Sequence, residues 1–452
     1  MKQGGFTFVL HSHLPYARRA GRWPHGEEWL HEAASETYVP ILNALYDLRE
    51  EGVPFRLTIG LTPVLTEQLA DKLVLEHFLE YLSGKIAAAQ SDIERFAESG
   101  DDHMKYLAEW YADWYLKVQS TFLNRFKRDI IGGFKLLQDE GYIEILTSAA
   151  THGYLPLLAR DSSISGQLQV GRHSYVNHFG RQPRAIWLPE CAYRPAYWVD
   201  GPNGHYRKPG IEEFLAENDE KLFFVETHAI EGGRPVGKAT GGVLGPYGAI
   251  PQRYVVPIPD YEEPTHRTTY QPYYVRTPVV AAMGRNDRSG MQVWSADHGY
   301  PGDFNYREFH RKDGISGMQY WKVTDVGLDL GHKQPYDPYW AQQRVADHAN
   351  HYSHLIEELV ASYTRDYGKP GIVVSAYDTE LFGHWWFEGP DWLKQVLRNL
   401  AASDVVEQTT ASSWLEQHPP EEILDLPESS WGQAGNHFTW KNADTEWMWP
   451  II

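Results

Sequence analysis

Two carboxylates carry the chemistry that this chain's residue types suggest. Glu190 closes the run Ala185-Ile186-Trp187-Leu188-Pro189-Glu190-Cys191-Ala192-Tyr193, an apolar strand-like segment that stops on a proline. Asp378 ends a second apolar run, in Tyr377-Asp378-Thr379-Glu380-Leu381. Two carboxylates on different strands, with aromatic neighbours, suit cleavage of a glycosidic bond. One must be ionised while the other is protonated, which requires unlike surroundings. Glu380 competes with Asp378, because on a continuing strand the two would share a face. Other polar groups also follow apolar runs: His11 and His13, His152, and Asp297. His11 and His13 alternate onto one face of a strand and could bind a metal or hydrogen-bond a sugar. A metal-dependent hydrolase using His11, His13, His152 and Asp297 as ligands is therefore a competing reading.

The elements that must hold these groups follow from periodicity. Strand-like runs at 6–10, 55–61, 143–146, 185–188, 222–226, 279–283, 291–294 and 371–376 alternate with helical patterns, including 34–51, 163–179 and 339–366. This is an α/β protein, and polar residues at so many strand ends place one site on the C-terminal face of a barrel. Residues 64–138 are helical almost throughout, broken at Ser99-Gly100-Asp101, and read as an all-helical insertion after the second strand. Residues 229–276 lack periodicity and are rich in Gly, Pro and Tyr, which predicts a long functional loop with a hairpin near 255–258. Within it, Gly232-Gly233-Arg234-Pro235-Val236-Gly237-Lys238 has phosphate-loop spacing. Ala239 replaces the hydroxyl residue and no helix follows, so a nucleotide site is not expected. His348, His351 and His354 recur at three-residue steps, a pattern that fits a polar helix face better than a metal grip.

Composition narrows the partners. The formal charge is −19 over 452 residues, which argues against a nucleic-acid phosphate backbone as ligand. No apolar run reaches the ~20 residues needed to span a bilayer, and the start Met1-Lys2-Gln3-Gly4-Gly5 has no signal-peptide pattern. The one cysteine, Cys191, fits a reducing compartment, so a cytoplasmic location is expected. Aromatic residues make up 14% of the chain, with 17 Trp and 28 Tyr. Flat rings of that kind suit the apolar faces of sugars.

Several of these segments also resemble signature regions of glycoside hydrolase family 57. They are His11-Ser12-His13-Leu14-Pro15-Tyr16, Gly60-Leu61-Thr62-Pro63, Trp187 to Tyr193, Tyr377 to Trp386, and the tail Trp431-Gly432 with Trp440. Within the family the pattern is most similar to the 1,4-α-glucan branching enzymes, because Cys191 follows the Glu and Phe382-Gly383-His384-Trp385-Trp386 follows the Asp. The resemblance implies an incomplete (β/α)7 barrel and a retaining double displacement with no cofactor and no metal. It implies Glu190 as nucleophile, Asp378 as general acid/base, and His11, His13 and His152 as partners of sugar hydroxyls. Trp23, Trp294, Trp431 and Trp440 would line the glucan path, and Tyr247 would tip a mobile loop that favours transfer; Asp297, at the end of its apolar run, is a further substrate-binding candidate. The implied organisation is a catalytic unit over 1–405, with the helical insertion at about 64–138. Residues 406–452 would begin a short helical C-terminal part that the family continues further. The expected partner is an α-glucan such as amylose or glycogen, with no nucleic acid and no membrane. An α-amylase, a 4-α-glucanotransferase or a catalytically impaired glucan-binding homologue are the alternatives.

Overall fold

The computed structural model describes residues 2–21, 26–201, 204–233, 244–245, 248–249, 265–295 and 299–452. Its central strand, β1 (Gly4–Ser12), is buried along its whole length. Such a strand reads as a continuous apolar run because both of its faces are covered. It pairs in parallel with Ile372–Asp378, in a register that sets His11 opposite Asp378. On its other side it pairs in parallel with β2 (Leu57–Leu61), which in turn pairs with β3 (Ile143–Leu146).

A second sheet holds the strands Leu222–Val225 and Thr277–Gly284 in parallel, with Tyr273–Val275 antiparallel beside the latter. Residues 185–187 join the two sheets. Ile186 forms a parallel bridge with Thr147, and its amide donates to the Leu222 carbonyl at 2.9 Å. Across the other flank, the Asn286 amide donates to the Val374 carbonyl at 2.9 Å. The architecture is thus α/β, with helices packed outside mostly parallel strands.

The helical insertion has the form that periodicity and capping dictate. Asp71 caps the helix Lys72–Ser99 by accepting from the Leu73 and Val74 amides. Gly100, at φ 75°, ends it in the left-handed conformation that glycine adopts most readily. Asp101 then caps the helix Asp102–Ser120 by accepting from Met104 N. Phe78, Leu82, Phe96, Leu107, Tyr111 and Tyr115 fill the seam between the two helices and the core. The hairpin also braces the segment near 313–336: Tyr111 donates to the Gln319 carbonyl at 2.7 Å, and Arg95 pairs with Asp313 at 2.9 Å.

Three expectations need correction or restriction. Residues 291–294 are not a strand; they close the helix Asp287–Trp294, which Asn286 caps through the Ser289 amide. A four-residue apolar run cannot distinguish the two periods, whereas the cap upstream does. Residues 185–188 make bridges rather than an extended strand, because Pro189 turns the chain into a short 3-10 turn, Pro189–Cys191. The hairpin near 255–258 and most of the phosphate-loop near-motif, 234–239, lie outside the described residues. A further feature was not expected: the first long helix contains a π turn at Ala34–Tyr38. Residues 406–452 are woven into the same body. Val406–Gln408 pairs with Gly4–Phe6, Ile423–Leu424 pairs with the Tyr273–Val275 strand, and the helix Ala411–Gln417 lies between them. No described helix is long and apolar enough to cross a membrane.

Candidate active site

The turn after Leu188 sets the site's geometry. Glu190 sits at φ 60°, ψ 25°, and Cys191 at φ 51°, two consecutive non-glycine residues in the left-handed region. Such a conformation is strained and persists only where neighbours over-determine it. Here the Cys191 amide donates to Leu188 O and the Ala192 amide to Pro189 O. Tyr193 and Ser429 exchange amide bonds at 2.9 and 3.0 Å. The Cys191 thiol donates to the Phe224 carbonyl at 3.2 Å. The result is that Pro189 and Cys191 are buried while the Glu190 side chain stays about 30% exposed.

Trp431 and His152 address that carboxylate. The Trp431 indole N–H donates to Glu190 Oε2 at 3.0 Å, and the Trp431 amide donates to the Glu190 carbonyl at 3.2 Å. His152 brings Nε2 to 3.3 Å from Glu190 Oε1. His152 is itself left-handed, at φ 57°, on the turn that follows β3.

His152 belongs to a stack of rings. Its centroid lies 3.9 Å from His13 and 4.8 Å from His11, and His11 lies 5.2 Å from Trp187, all near parallel. Burial first, then the neighbouring His152 and His13, hold His11 well below the ordinary histidine range. Burial and His152 push His13 down to about 2. Both rings are therefore neutral at any physiological pH, and a neutral imidazole offers one donor and one acceptor, as a sugar hydroxyl requires. Among the described residues neither ring nitrogen of His11 has a hydrogen-bond partner. Rings stacked face to face do not aim their lone pairs at one point. Among the described residues no cluster of three or more His, Cys, Asp or Glu is arranged to hold a metal ion.

On the opposite side, the strand Ile372–Asp378 ends at Asp378, and a 3-10 turn, Thr379–Leu381, follows at once. The turn breaks the alternation that would have put Asp378 and Glu380 on one face. Asp378 is half-buried, whereas Glu380 is buried and faces inward. Glu380 Oε1 accepts from the His13 amide at 3.1 Å and from the Tyr38 hydroxyl. Ser12 and Thr379 share a hydroxyl hydrogen bond of 2.7 Å beside them.

The remaining sequence candidates divide into two groups. Trp440 packs on Tyr154 with centroids 4.4 Å apart, and Gly432 is needed beneath it, since a Cβ there would come within 2.6 Å of the Trp440 ring. Trp294 ends its helix, partly buried against the main core. Trp23, Tyr247 and Asp297 lie outside the described residues. Sequence reasoning gave no part to Trp187, Tyr38, Tyr154 or His437. Tyr154 bonds His437 Nδ1 at 2.6 Å, which ties the His152 turn to the tail that bears Trp431 and Trp440. Tyr38 carried no signal of its own, because it lies in an apolar helical run.

The Trp431 contact can be tested. Trp431→Phe keeps a ring against Trp187, whose centroid is 5.1 Å away, but removes the donor to Glu190. Hydrogen bonds to charged groups are worth ~1.5–3 kcal/mol. If this one grows with the reaction, kcat should fall roughly tenfold or more, with KM little changed. Steady-state kinetics decide it, and an unchanged kcat would leave Trp431 as packing alone.

Comparison with known proteins bears on the family and the fold. The model of glycosyl hydrolase family 57 matches residues 7–427. The chain is 45% identical over 452 residues to a 1,4-alpha-glucan branching enzyme of Thermococcus kodakarensis, covering all of this chain and 63% of that protein. The chain thus spans a little under two thirds of that curated relative. A crystal structure of a branching enzyme of this family from Thermococcus kodakaraensis, in complex with glucose, superposes with a TM-score of 0.88 at 44% identity. It covers 99% of this chain and 77% of that one. The alpha-amylase AmyC from Thermotoga maritima follows with a TM-score of 0.78 at 29% identity, covering 100% of this chain and 79% of that one.

Proposed function

The chain belongs to glycosyl hydrolase family 57, and from that membership we propose that it is a 1,4-α-glucan branching enzyme. The carrying observation is the Glu190 carboxylate, presented on a strained turn to the Trp431 indole and to His152. The 45% identity to a named branching enzyme supports the same reading.

In the proposed reaction the Glu190 carboxylate attacks C1 of an α-1,4-linked glucosyl unit. The C1–O4 bond breaks, and Asp378 gives its proton to O4. Asp378 then removes the proton of a glucan 6-hydroxyl. That oxygen bonds to C1, and Glu190 is released. Two displacements retain the α configuration. His11, His13 and His152 serve as neutral partners of sugar hydroxyls, and Trp294, Trp431 and Trp440 line the glucan path. Trp23, Asp297 and Tyr247 keep their sequence-based assignments to substrate binding. No metal or cofactor enters the scheme. The substrate is an amylose- or glycogen-type glucan, and we place the enzyme in the cytoplasm as part of glycogen synthesis.

For the fold we propose an incomplete (β/α)7 barrel. Its seven positions would be β1, β2, β3, residues 185–188, and the strands Leu222–Val225, Thr277–Gly284 and Ile372–Asp378. The bridging bonds of Ile186 and Asn286 support that order. The proposed units are 1–405, catalytic, and 406–452, a C-terminal part whose Trp431 reaches Glu190.

Incubation with amylose, followed by linkage analysis before and after enzymatic debranching, tests the proposal. New α-1,6 linkages and short chains released only by debranching are expected. The similarity to AmyC gives hydrolysis as the second reading. A rise in reducing ends without new branches would establish that reading, and glucan binding without turnover would mean an impaired site.

A further inference from the structure

The turn that follows Asp378 is held from the far side by the π turn at Ala34–Tyr38. A π turn inserts one residue into a helix and re-aims the side chains around it, and such turns recur at functional sites. Here three consecutive residues of the π turn reach the segment after Asp378 or the arginine beside it. Glu36 forms a buried ion pair with Arg307 at 2.8 Å, and the Arg307 guanidinium lies 4.0 Å over the Phe387 ring. The Thr37 hydroxyl accepts from the His384 amide at 3.0 Å, and the Tyr38 hydroxyl donates to Glu380. The packing between the two segments is tight enough that Gly383, at φ 117°, has no room for a side chain. A Cβ there would come within 1.8 Å of the Glu36 carbonyl oxygen.

Glu380 is the point where these contacts converge on the site. Its one oxygen Oε1 accepts both from Tyr38 and from the amide of His13, which directly follows the strand that sets His11 opposite Asp378. It is 7% exposed, too deep to meet a glucan directly. We propose that Glu380, clamped by Tyr38 and the His13 amide, is a positioning residue that aims Asp378 at the departing glycosidic oxygen. This inference rests on Asp378 being the general acid of the proposed reaction. Burial, reinforced by the nearby Asp378 charge, pushes Glu380 up to about 8, while the Tyr38 hydrogen bond pulls the other way. At neutral pH it is therefore a neutral acid that anchors the turn without placing a negative charge beside Asp378.

A group that works through proton delivery matters only when the leaving group needs the proton. A glucan leaving as an alkoxide needs it; fluoride, the anion of a much stronger acid, needs little help. The specificity constant kcat/KM reports the first, glycosylating step, so it isolates this role from the later base role of Asp378. The experiment compares kcat/KM for amylose and for α-maltotriosyl fluoride in Glu380→Leu, Glu380→Gln, Tyr38→Phe and Asp378→Asn. Glu380→Leu, which removes the acceptor, and Tyr38→Phe, which removes one donor, should lose roughly tenfold or more on amylose and less than about threefold on the fluoride. Glu380→Gln copies the protonated carboxyl, keeps the acceptor for Tyr38 and His13, and should stay within about threefold of the wild type on both. Tyr38→Phe should melt near the wild type and serves if Glu380→Leu does not fold. Equal losses on both substrates in Glu380→Leu and Tyr38→Phe would reduce Glu380 to a structural role and overturn the inference, as would no loss on either. An Asp378→Asn enzyme without leaving-group dependence would instead overturn the assignment of Asp378.

Discussion

Glu190→Gln should reduce glycosyl transfer from amylose by roughly 10⁴-fold or more, the scale seen when a catalytic nucleophile is removed, while glucan binding persists. The substitution is close to isosteric. The amide oxygen can still accept from the Trp431 indole, and the amide nitrogen can take the place of Oε1 beside His152. The turn itself should survive, because its left-handed conformation is fixed by main-chain bonds to Leu188, Pro189, Ser429 and Trp431, and not by the carboxylate. What is lost is the charge. A neutral amide oxygen is a poor nucleophile towards C1, and it no longer stabilises positive charge developing on the ring. The measurement pairs a transfer assay with calorimetric titration of maltoheptaose. Loss of turnover with an affinity within a few-fold of wild type is the expected result. Transfer at more than about a hundredth of the wild-type rate would remove Glu190 from the nucleophile's role.

What could be read from the sequence, and what could not, divides along sequence separation. The helical insertion was legible to within a few residues because its signals are local. Apolar residues recur with the helical period, and Ser99-Gly100-Asp101 both stops one helix and caps the next. The strands that lead to the histidines and to Asp378 were legible because continuous apolar runs end abruptly in polar groups. The different burial of Asp378 and Glu380 was not, since it depends on where the strand ends and a turn begins. The partners that hold Glu380 inward, Tyr38 and His13, are 342 and 367 residues away in the chain. The same reason hides the Trp431 donor, 241 residues from Glu190. Trp431 could be placed near the glucan by resemblance, but not on the carboxylate. The tail was read as helical, yet Val406–Gln408 and Ile423–Leu424 are strands. Segments of two or three residues carry no period, and their pairing with Gly4–Phe6 and with the Tyr273–Val275 strand is decided by tertiary neighbours. Residues 291–294 failed for a related reason: too short for periodicity, they took their identity from the cap at Asn286.

Raising the pH from 5 to 9 should lower the stability of the fold, and Glu220→Gln should relieve part of that loss. Glu220 lies just before the Leu222–Val225 strand, at the end away from the site, and is 2% exposed. Burial pushes its carboxyl up from 4.5 to about 8, and Arg172 opposes the change only in part. Among the described residues its Oε2 has no hydrogen-bond partner, which fits a carboxyl that stays protonated. A folded-state value above the unfolded one means that the native chain holds the proton longer. The contribution is therefore complete below about 4.5 and disappears as the pH rises through 8. At about 1.36 kcal/mol per pH unit, that interval corresponds to roughly 5 kcal/mol. Glu380, raised to about 8, and Glu388, raised to about 7, act in the same direction, so the wild-type loss exceeds that of any one group. Glutamine copies the protonated carboxyl and cannot ionise. Glu220→Gln should thus match the wild type near pH 5 and melt above it at pH 9. For a chain of this size the gap should be about 5 °C, at about 1 °C per kcal/mol. Transfer activity below pH 7 should be unchanged, because the residue sits at the opposite end of the strands from Glu190. Melting curves that run parallel for the two proteins from pH 5 to 9 would mean that Glu220 is already ionised in the folded chain.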